Sequence, residues 1–162
     1  MENALQKLAS ATAPSDRLLA AKLVNKFAND PLKKQPMMDM GAASTLIKAL
    51  MMFDDGEARD EIAWTMSILM TSSCNEERKA RRKEFLPAIP TLLSFVERVN
   101  QYNVSPAAHT LIQLTRDSEE DTAGVAFLWT CMKTETDFFD GVADVKAVRI
   151  ILERLFDHVV QT

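Results

Sequence analysis

Glycine and proline are scarce in this sequence, which has only 4 and 6 of them among 162 residues. Strand-rich folds need many tight turns, and these two residues supply the backbone conformations of such turns. The shortage therefore favours helices.

Cysteine is equally rare. Cys74 and Cys131 are too few and too far apart to form a disulfide framework, so we expect a reducing compartment. The first residues, MENALQKLASATAPSD, contain no apolar stretch of the kind that a secretory signal requires. The longest apolar run, AGVAFLWTCM, has ten residues and is too short to cross a bilayer. We predict a cytoplasmic protein that does not associate with a membrane. A nuclear location is the alternative.

Motifs of catalysis are missing as well. The two histidines, His109 and His158, do not form a metal-ligand pattern such as HExxH, and the four glycines do not form a phosphate-binding loop. We therefore expect no enzyme activity, no metal and no cofactor. The net charge of −4 is unfavourable for nucleic-acid binding, which we do not expect either.

Signals of helix starts recur along the chain, and the apolar residues between them have helical spacing. In the first long segment, for example, Leu19, Leu23 and Phe27 follow one another at steps of four. No segment shows the alternation of apolar and polar residues that is typical of a β-strand. The pattern predicts an all-α protein with roughly eight to ten helices. The predicted starts are at Ser15, Asp30-Pro31, Asn75, Ser105-Pro106 and Ser118.

Three segments can be aligned as internal repeats: AAKLVNKFA from Ala20, IAWTMSILM from Ile62 and AAHTLIQLT from Ala107. Their starts are 42 and 45 residues apart. GAASTLI from Gly41 and PAIPTLL from Pro87 form a second aligned pair, 46 residues apart. A unit of this length cannot bury its apolar faces alone, so we expect the units to stack on one another.

The segment GAASTLIKALMMFDDGEARDEIAWTMSILM, from Gly41 to Met70, resembles an armadillo repeat, a pattern largely shared by HEAT repeats. The resemblance covers residues 4–117. It implies a right-handed α-α superhelix of about three to four repeats, in a single domain spanning 1–162. Residues 118–162 match poorly, so we interpret them as a divergent last unit or a C-terminal cap.

In armadillo proteins, the third helix of each repeat lines a concave groove and carries a tryptophan and an asparagine four residues apart. Aligned by the resemblance, the tryptophan place holds Lys22, Trp64 and His109. The asparagine place holds Lys26, Ile68 and Gln113. Only Trp64 keeps the family residue, so binding of a nuclear-localisation signal is not supported.

The resemblance implies a non-catalytic protein-interaction module or scaffold, which binds a segment of a partner protein in this groove. Lys22, Lys26 and Arg116 would make part of the groove basic, whereas Asp60 would oppose them locally. We therefore expect an extended or helical partner segment with some acidic character.

Each of these residues also has a simpler interpretation. Trp64 could pack against a neighbouring unit, although the register places Ala63, Met66, Leu69 and Met70 on the buried side instead. His109 could equally be a histidine whose hydrogen bonds are satisfied at the junction between two repeats, without contacting a ligand.

Two clusters have competing explanations as well. The basic run KARRKEF, from Lys79 to Phe85, is either the solvated face of a helix or an anion-binding or localisation patch. The methionines of PMMDMG and LMMF either fill the core or form an adaptable binding surface.

The last predicted helix, VKAVRIILERLFDHVVQT, has one strongly apolar side. It would fold back as a cap, form a homodimer, or dock in a larger complex. Structural assembly through this helix is therefore the alternative function.

Overall fold

The computed structural model describes residues 1–95 and 106–116, apart from the side chains of 93, 94, 108, 112, 115 and 116. All regular secondary structure in these ranges is helical, which confirms the predicted all-α class. A 3-10 turn, Leu86–Ala88, accompanies the α-helices. None of the described helices is long and apolar enough to cross a membrane. The α-helices are α1 (Glu2–Ser10), α2 (Pro14–Ala28), α3 (Lys34–Asp39), α4 (Ala42–Met52), α5 (Gly56–Met70), α6 (Asn75–Phe85), α7 (Ile89–Phe95) and α8 (Pro106–Arg116).

Residues Met1–Phe85 form a compact unit that contains α1 to α6. In this unit α1 packs against α2, and α4 packs against α5. The two helix pairs also pack on each other, α1 on α4 and α2 on α5. The short α3 contacts α2 and α4, and α6 lies against α4 and α5. Equivalent helices of the two pairs are therefore neighbours.

The core of this unit follows directly from the helical spacing of the apolar residues. The buried side of α2 is made of small residues, which lets its backbone approach α5 closely. α4 and α5 supply the larger side chains that fill the space between the helices. The buried residues are Ala20, Ala21, Val24 and Ala28 on α2, Leu46 and Leu50 on α4, and Ile62, Ala63, Met66, Leu69 and Met70 on α5.

Two predicted helix starts were wrong. α2 begins one residue before Ser15, at Pro14, where the missing N–H costs no helical hydrogen bond. Asp30 caps only a turn, because its Oδ1 accepts the Leu32 N–H at 3.0 Å. The helix that we expected from Pro31 therefore begins after this turn, at Lys34.

The other starts are closer to the prediction. α8 begins at Pro106 as expected, and α6 begins at Asn75 itself instead of one residue later. The predicted start at Ser118 lies outside the described residues. Gly41 joins α3 to α4 with φ at +81°, a left-handed conformation that other residues rarely adopt.

The second compact unit is Leu86–Thr162. In its described part, α7 packs against the 3-10 turn and against α8. Ile89, Leu92, Ala107, Leu111 and Leu114 are buried there. The predicted single domain over 1–162, with 118–162 as its divergent end, stays a prediction.

Candidate functional site

One side of the α2–α5 pair is exposed along its whole length. On α2 the exposed residues recur at three- and four-residue steps, and on α5 they do the same. We call this surface the α2–α5 face. It consists of Ser15, Leu19, Lys22, Lys26 and Asn29 on or directly after α2, and of Glu57, Asp60, Trp64, Ile68 and Thr71 on or directly after α5, with Ile68 half-buried.

Two contacts show that α2 and α5 run parallel. Arg17 Nη1 lies 3.8 Å from Asp55 Oδ2, and Asn25 Nδ2 donates to Thr65 Oγ1 at 3.0 Å. Arg17 precedes Asn25 on α2, and their partners Asp55 and Thr65 follow the same order along α5. The two helices therefore have the same direction.

The same hydrogen bond shows that the two exposed stripes face the same way. Asn25 lies on one flank of the α2 stripe, three residues after Lys22. Thr65 lies on the opposite flank of the α5 stripe, three residues before Ile68. Joining these flanks places both stripes on one side of the helix pair.

Trp64 is the large aromatic side chain of this face, and it is 43% exposed. Ala63, Met66, Leu69 and Met70 are all buried, as the register predicts. The helical register thus turns Trp64 away from the core of its own unit. On α2, Leu19 adds a second apolar contact area and is 66% exposed.

The structure brings five of the predicted site residues together on this face. Lys22 and Lys26 are exposed on α2, while Asp60 and Trp64 are exposed on α5. Ile68 is half-buried beside them. The middle of the face is therefore basic on α2 and carries the indole on α5, with acidic residues towards the start of α5.

The other three predicted residues belong to α8, in the second unit. His109 and Gln113 are half-buried, and the Oε1 atom of Gln113 is itself buried without a hydrogen-bond partner among the described residues. Burial lowers the pKa of His109 below its usual value of 6.5. Arg116 ends α8, and its side chain lies outside the described part. That these residues share a groove with Trp64 stays a prediction.

A polar pocket of about 430 Å³ lies at the C-terminal ends of α2 and α5. Thr71, the last residue of the α2–α5 face, lines it, so the pocket continues the face. The pocket also reaches the start of α6. Its lining consists of Pro31, Lys34, Thr71, Ser72, Ser73, Glu77 and Arg81.

Arg81 lines this pocket and is almost fully buried. Its Nη1 donates to the carbonyl oxygens of Leu69 and Thr71, both at 3.2 Å. Its Nε and Nη2 donate to Gln35 Oε1 at 3.3 and 3.1 Å, and Nη2 lies 3.5 Å from Glu77 Oε2. Arg81 thus caps the end of α5 and ties it to α3 and α6.

Lys34 stands beside Arg81 at the same pocket. Its Nζ donates to Thr71 Oγ1 at 2.5 Å and lies 3.5 Å from the Thr71 carbonyl oxygen. Burial, and then the positive charge of Arg81, lower the pKa of Lys34 below 10.5. Two cationic side chains are therefore held close together in a concave site.

Sequence reasoning missed this pocket. Of the two explanations for KARRKEF, the solvated helix face is wrong for Arg81 and Arg82, because both are buried. The anion-binding or localisation patch stays a prediction. The signal was present in the helical spacing: Arg78, Arg81, Arg82 and Phe85 lie on one side of α6, and Phe85 is its apolar anchor. The long arginine side chains were the misleading part, because their apolar stems can be buried while their charged ends reach acceptors.

The methionines lie partly in the core and partly on the surface. Met37, Met38, Met66 and Met70 are buried in the core. Met40, Met51 and Met52 are exposed by 46%, 66% and 64%, which leaves these three on the surface.

In the described ranges, no group of three or more histidine, cysteine or acidic side chains is placed to hold a metal ion. Comparison with known proteins gave no match to any family model, curated protein or solved structure. The armadillo resemblance therefore stays a prediction.

Proposed function

We propose that this protein is a non-catalytic interaction module or scaffold, and that the α2–α5 face binds an extended or helical segment of a partner protein. The observation that carries the proposal is the pair of exposed stripes on one side of α2 and α5, with a partly exposed tryptophan on α5 and two lysines on α2. Tryptophan is among the residues that contribute most to binding when a partner covers them.

The internal register supports an armadillo-like arrangement. Lys22 and Trp64 are 42 residues apart, which is the offset of the first two aligned segments. At the same offset, Ser15 corresponds to Glu57 and Asn29 to Thr71. Every one of these positions is exposed, whereas Glu61 and Ile68, which correspond to the exposed Leu19 and Lys26, are half-buried. The sequence repeat therefore coincides with a repeat in exposure at these three pairs. We propose that further units extend this pattern into a right-handed superhelix.

The charges of the face favour an acidic partner segment. Lys22 and Lys26 are one helical turn apart on the same stripe, where their ammonium groups would steer carboxylates towards Trp64. Glu57 and Asp60 lie towards the start of α5 and would repel the same ligand. We therefore expect the acidic residues of the partner to lie over the C-terminal two thirds of the face.

Selection from a random displayed library of about 16-residue peptides tests the proposal, because such a segment is long enough to follow a helix of this length. We expect enrichment of acidic peptides, and binding of the selected peptides should weaken about 30-fold in Trp64→Ala, as for a tryptophan hot spot worth about 2 kcal/mol. Met51→Ala is the matched control, because Met51 is an exposed apolar residue of α4 and does not belong to the face. It should bind within about twofold of the wild type.

Charge reversal tests the role of the lysines separately. The double variant Lys22→Glu, Lys26→Glu should lose the acidic peptides and select basic ones instead, because the sign of the potential over the stripe is inverted. Equal binding of the selected peptides by the wild type and Trp64→Ala, with unchanged circular dichroism, would show that the face is not the binding site.

A further inference from the structure

The pocket that continues the α2–α5 face has an excess of positive charge. Among its lining residues, Lys34 and Arg81 are cationic and Glu77 is the one carboxylate. Glu77 is already engaged, because its Oε2 accepts the Ser72 hydroxyl at 2.6 Å and faces Arg81. Lys34 has no such partner among the lining residues. Its contacts there are the hydroxyl and the carbonyl oxygen of Thr71.

Among the described residues, Lys34 forms no ion pair with a carboxylate. Two acids near Lys34 in sequence contact other side chains: Asp30 pairs with Lys33 at 3.3 Å, and Asp39 accepts a hydrogen bond from Gln35 at 2.9 Å.

The pocket also offers neutral donors. The Ser73 hydroxyl lines it and is exposed, and Lys34 keeps one of its three N–H groups beyond the two contacts with Thr71. The start of α6 adds the partial positive charge of a helix N-terminus. A concave surface with a net positive charge and hydroxyl donors is suited to an oxygen anion.

We propose that this pocket binds a carboxylate side chain of the partner segment that lies along the α2–α5 face, with Lys34 as its main contact and Ser73 as an additional donor. The proposal rests on the proposed function, because Thr71 joins the pocket to that face and gives the bound segment a continuous path. Burial and then repulsion from Arg81 lower the pKa of Lys34, and an anion here would offset that repulsion.

Charge balance selects a carboxylate over a phosphate. The lining carries one net positive charge, which a single carboxylate neutralises. A phosphate dianion would exceed it and would be repelled by Glu77, which lines the same pocket. We therefore infer that an aspartate or glutamate of the partner, and not a phosphorylated residue, occupies the pocket.

The test uses small probes that need no partner. N-acetylglutamate amide is titrated into the labelled full chain at constant ionic strength, with N-acetylglutamine amide as the uncharged match. We expect saturable NMR shifts of the backbone amides from Thr71 to Asn75 with the first probe only. Lys34→Gln should weaken binding at least fivefold, while Lys34→Arg should bind within a few-fold of the wild type. Lys48→Gln, an exposed charge removed on α4, should bind like the wild type.

Several results would overturn the proposal. They are equal shifts with the glutamine probe, undiminished binding by a folded Lys34→Gln variant, the absence of saturable shifts, and tighter binding of inorganic phosphate than of the carboxylate probe. Since the titration reports the pocket alone, it can fail while peptide binding through Trp64 holds, and peptide binding can fail while the titration succeeds.

Discussion

Replacing Arg81 by methionine removes the guanidinium group that joins three helices while keeping most of the length of the apolar stem. In the folded protein, Nη1 of Arg81 donates a hydrogen bond to the buried Leu69 carbonyl oxygen, and Nε and Nη2 donate to the Gln35 amide oxygen. Methionine offers no donor, so the Leu69 carbonyl is left without this partner. Thr71 is less affected, because Lys34 still faces its carbonyl oxygen at 3.5 Å.

The expected loss follows from these contacts. A hydrogen bond from a charged donor contributes about 1.5 to 3 kcal/mol, and an acceptor left buried and unsatisfied costs about 1 to 3 kcal/mol. Methionine recovers part of this, because its burial avoids the desolvation of a charge. We expect Arg81→Met to lower the free energy of unfolding by about 3 kcal/mol. Arg81→Lys should be intermediate, because it keeps the charge but lacks the planar fork.

Urea unfolding followed by tryptophan fluorescence measures this loss. Trp129 is the other tryptophan of the sequence, so the reference protein and all variants carry Trp129→Phe. The fluorescence then comes from Trp64, in the unit that contains Arg81. With a slope of about 2 kcal/mol per M, the midpoint should fall by roughly 1.5 M. Lys83→Met is the matched control on the exposed side of α6 and should stay within about 0.5 kcal/mol of the wild type. A free energy of unfolding equal to that of the control would refute the role of Arg81 as the tie between α3, α5 and α6.

Three further predictions are simpler. Gly41→Ala should destabilise the protein by about 1 kcal/mol in the same urea assay. The φ of +81° is the sole cause of this loss, since a Cβ there would meet no atom within 4 Å. Gly41→Asn should lose less stability, because asparagine adopts the left-handed conformation more readily than alanine. Burial lowers the pKa of His109, so its NMR titration midpoint should fall below 6.5, with His109→Gln identifying the signal. The stability that His109 contributes is then complete above pH 6.5 and is lost as the pH falls through the lowered pKa, whereas a midpoint above 6.5 would contradict the burial. Light scattering after size-exclusion chromatography tests the homodimer predicted through residues 145–162, and a monomer at high concentration would eliminate it.

Local spacing alone predicted much of the α2–α5 face. A residue every three or four positions is enough to assign Trp64 to one side of α5 and Ala63, Met66, Leu69 and Met70 to the other. The exposure of Trp64 and the burial of the other four residues agree with that assignment.

Helix starts were less predictable, because several residues compete for the same cap. Pro14 takes the first helical position before Ser15 can act as a cap. Asp30 bonds to the N–H two residues later, which forms a turn in place of a helix. Both outcomes depend on differences of a kcal/mol or so between alternative local hydrogen bonds, which a sequence pattern does not resolve.

The sequence by itself determined the helical class, the 42-residue register and the side of α5 that carries Trp64, because these depend only on contacts within one or two helical turns. The tertiary structure decided the pocket. Gln35, Leu69 and Arg81 come from α3, α5 and α6, and only the packing of these helices brings a carbonyl, an amide and a guanidinium within hydrogen-bond distance. Burial of Arg81 follows from those acceptors, since a charge leaves water only where such partners replace it.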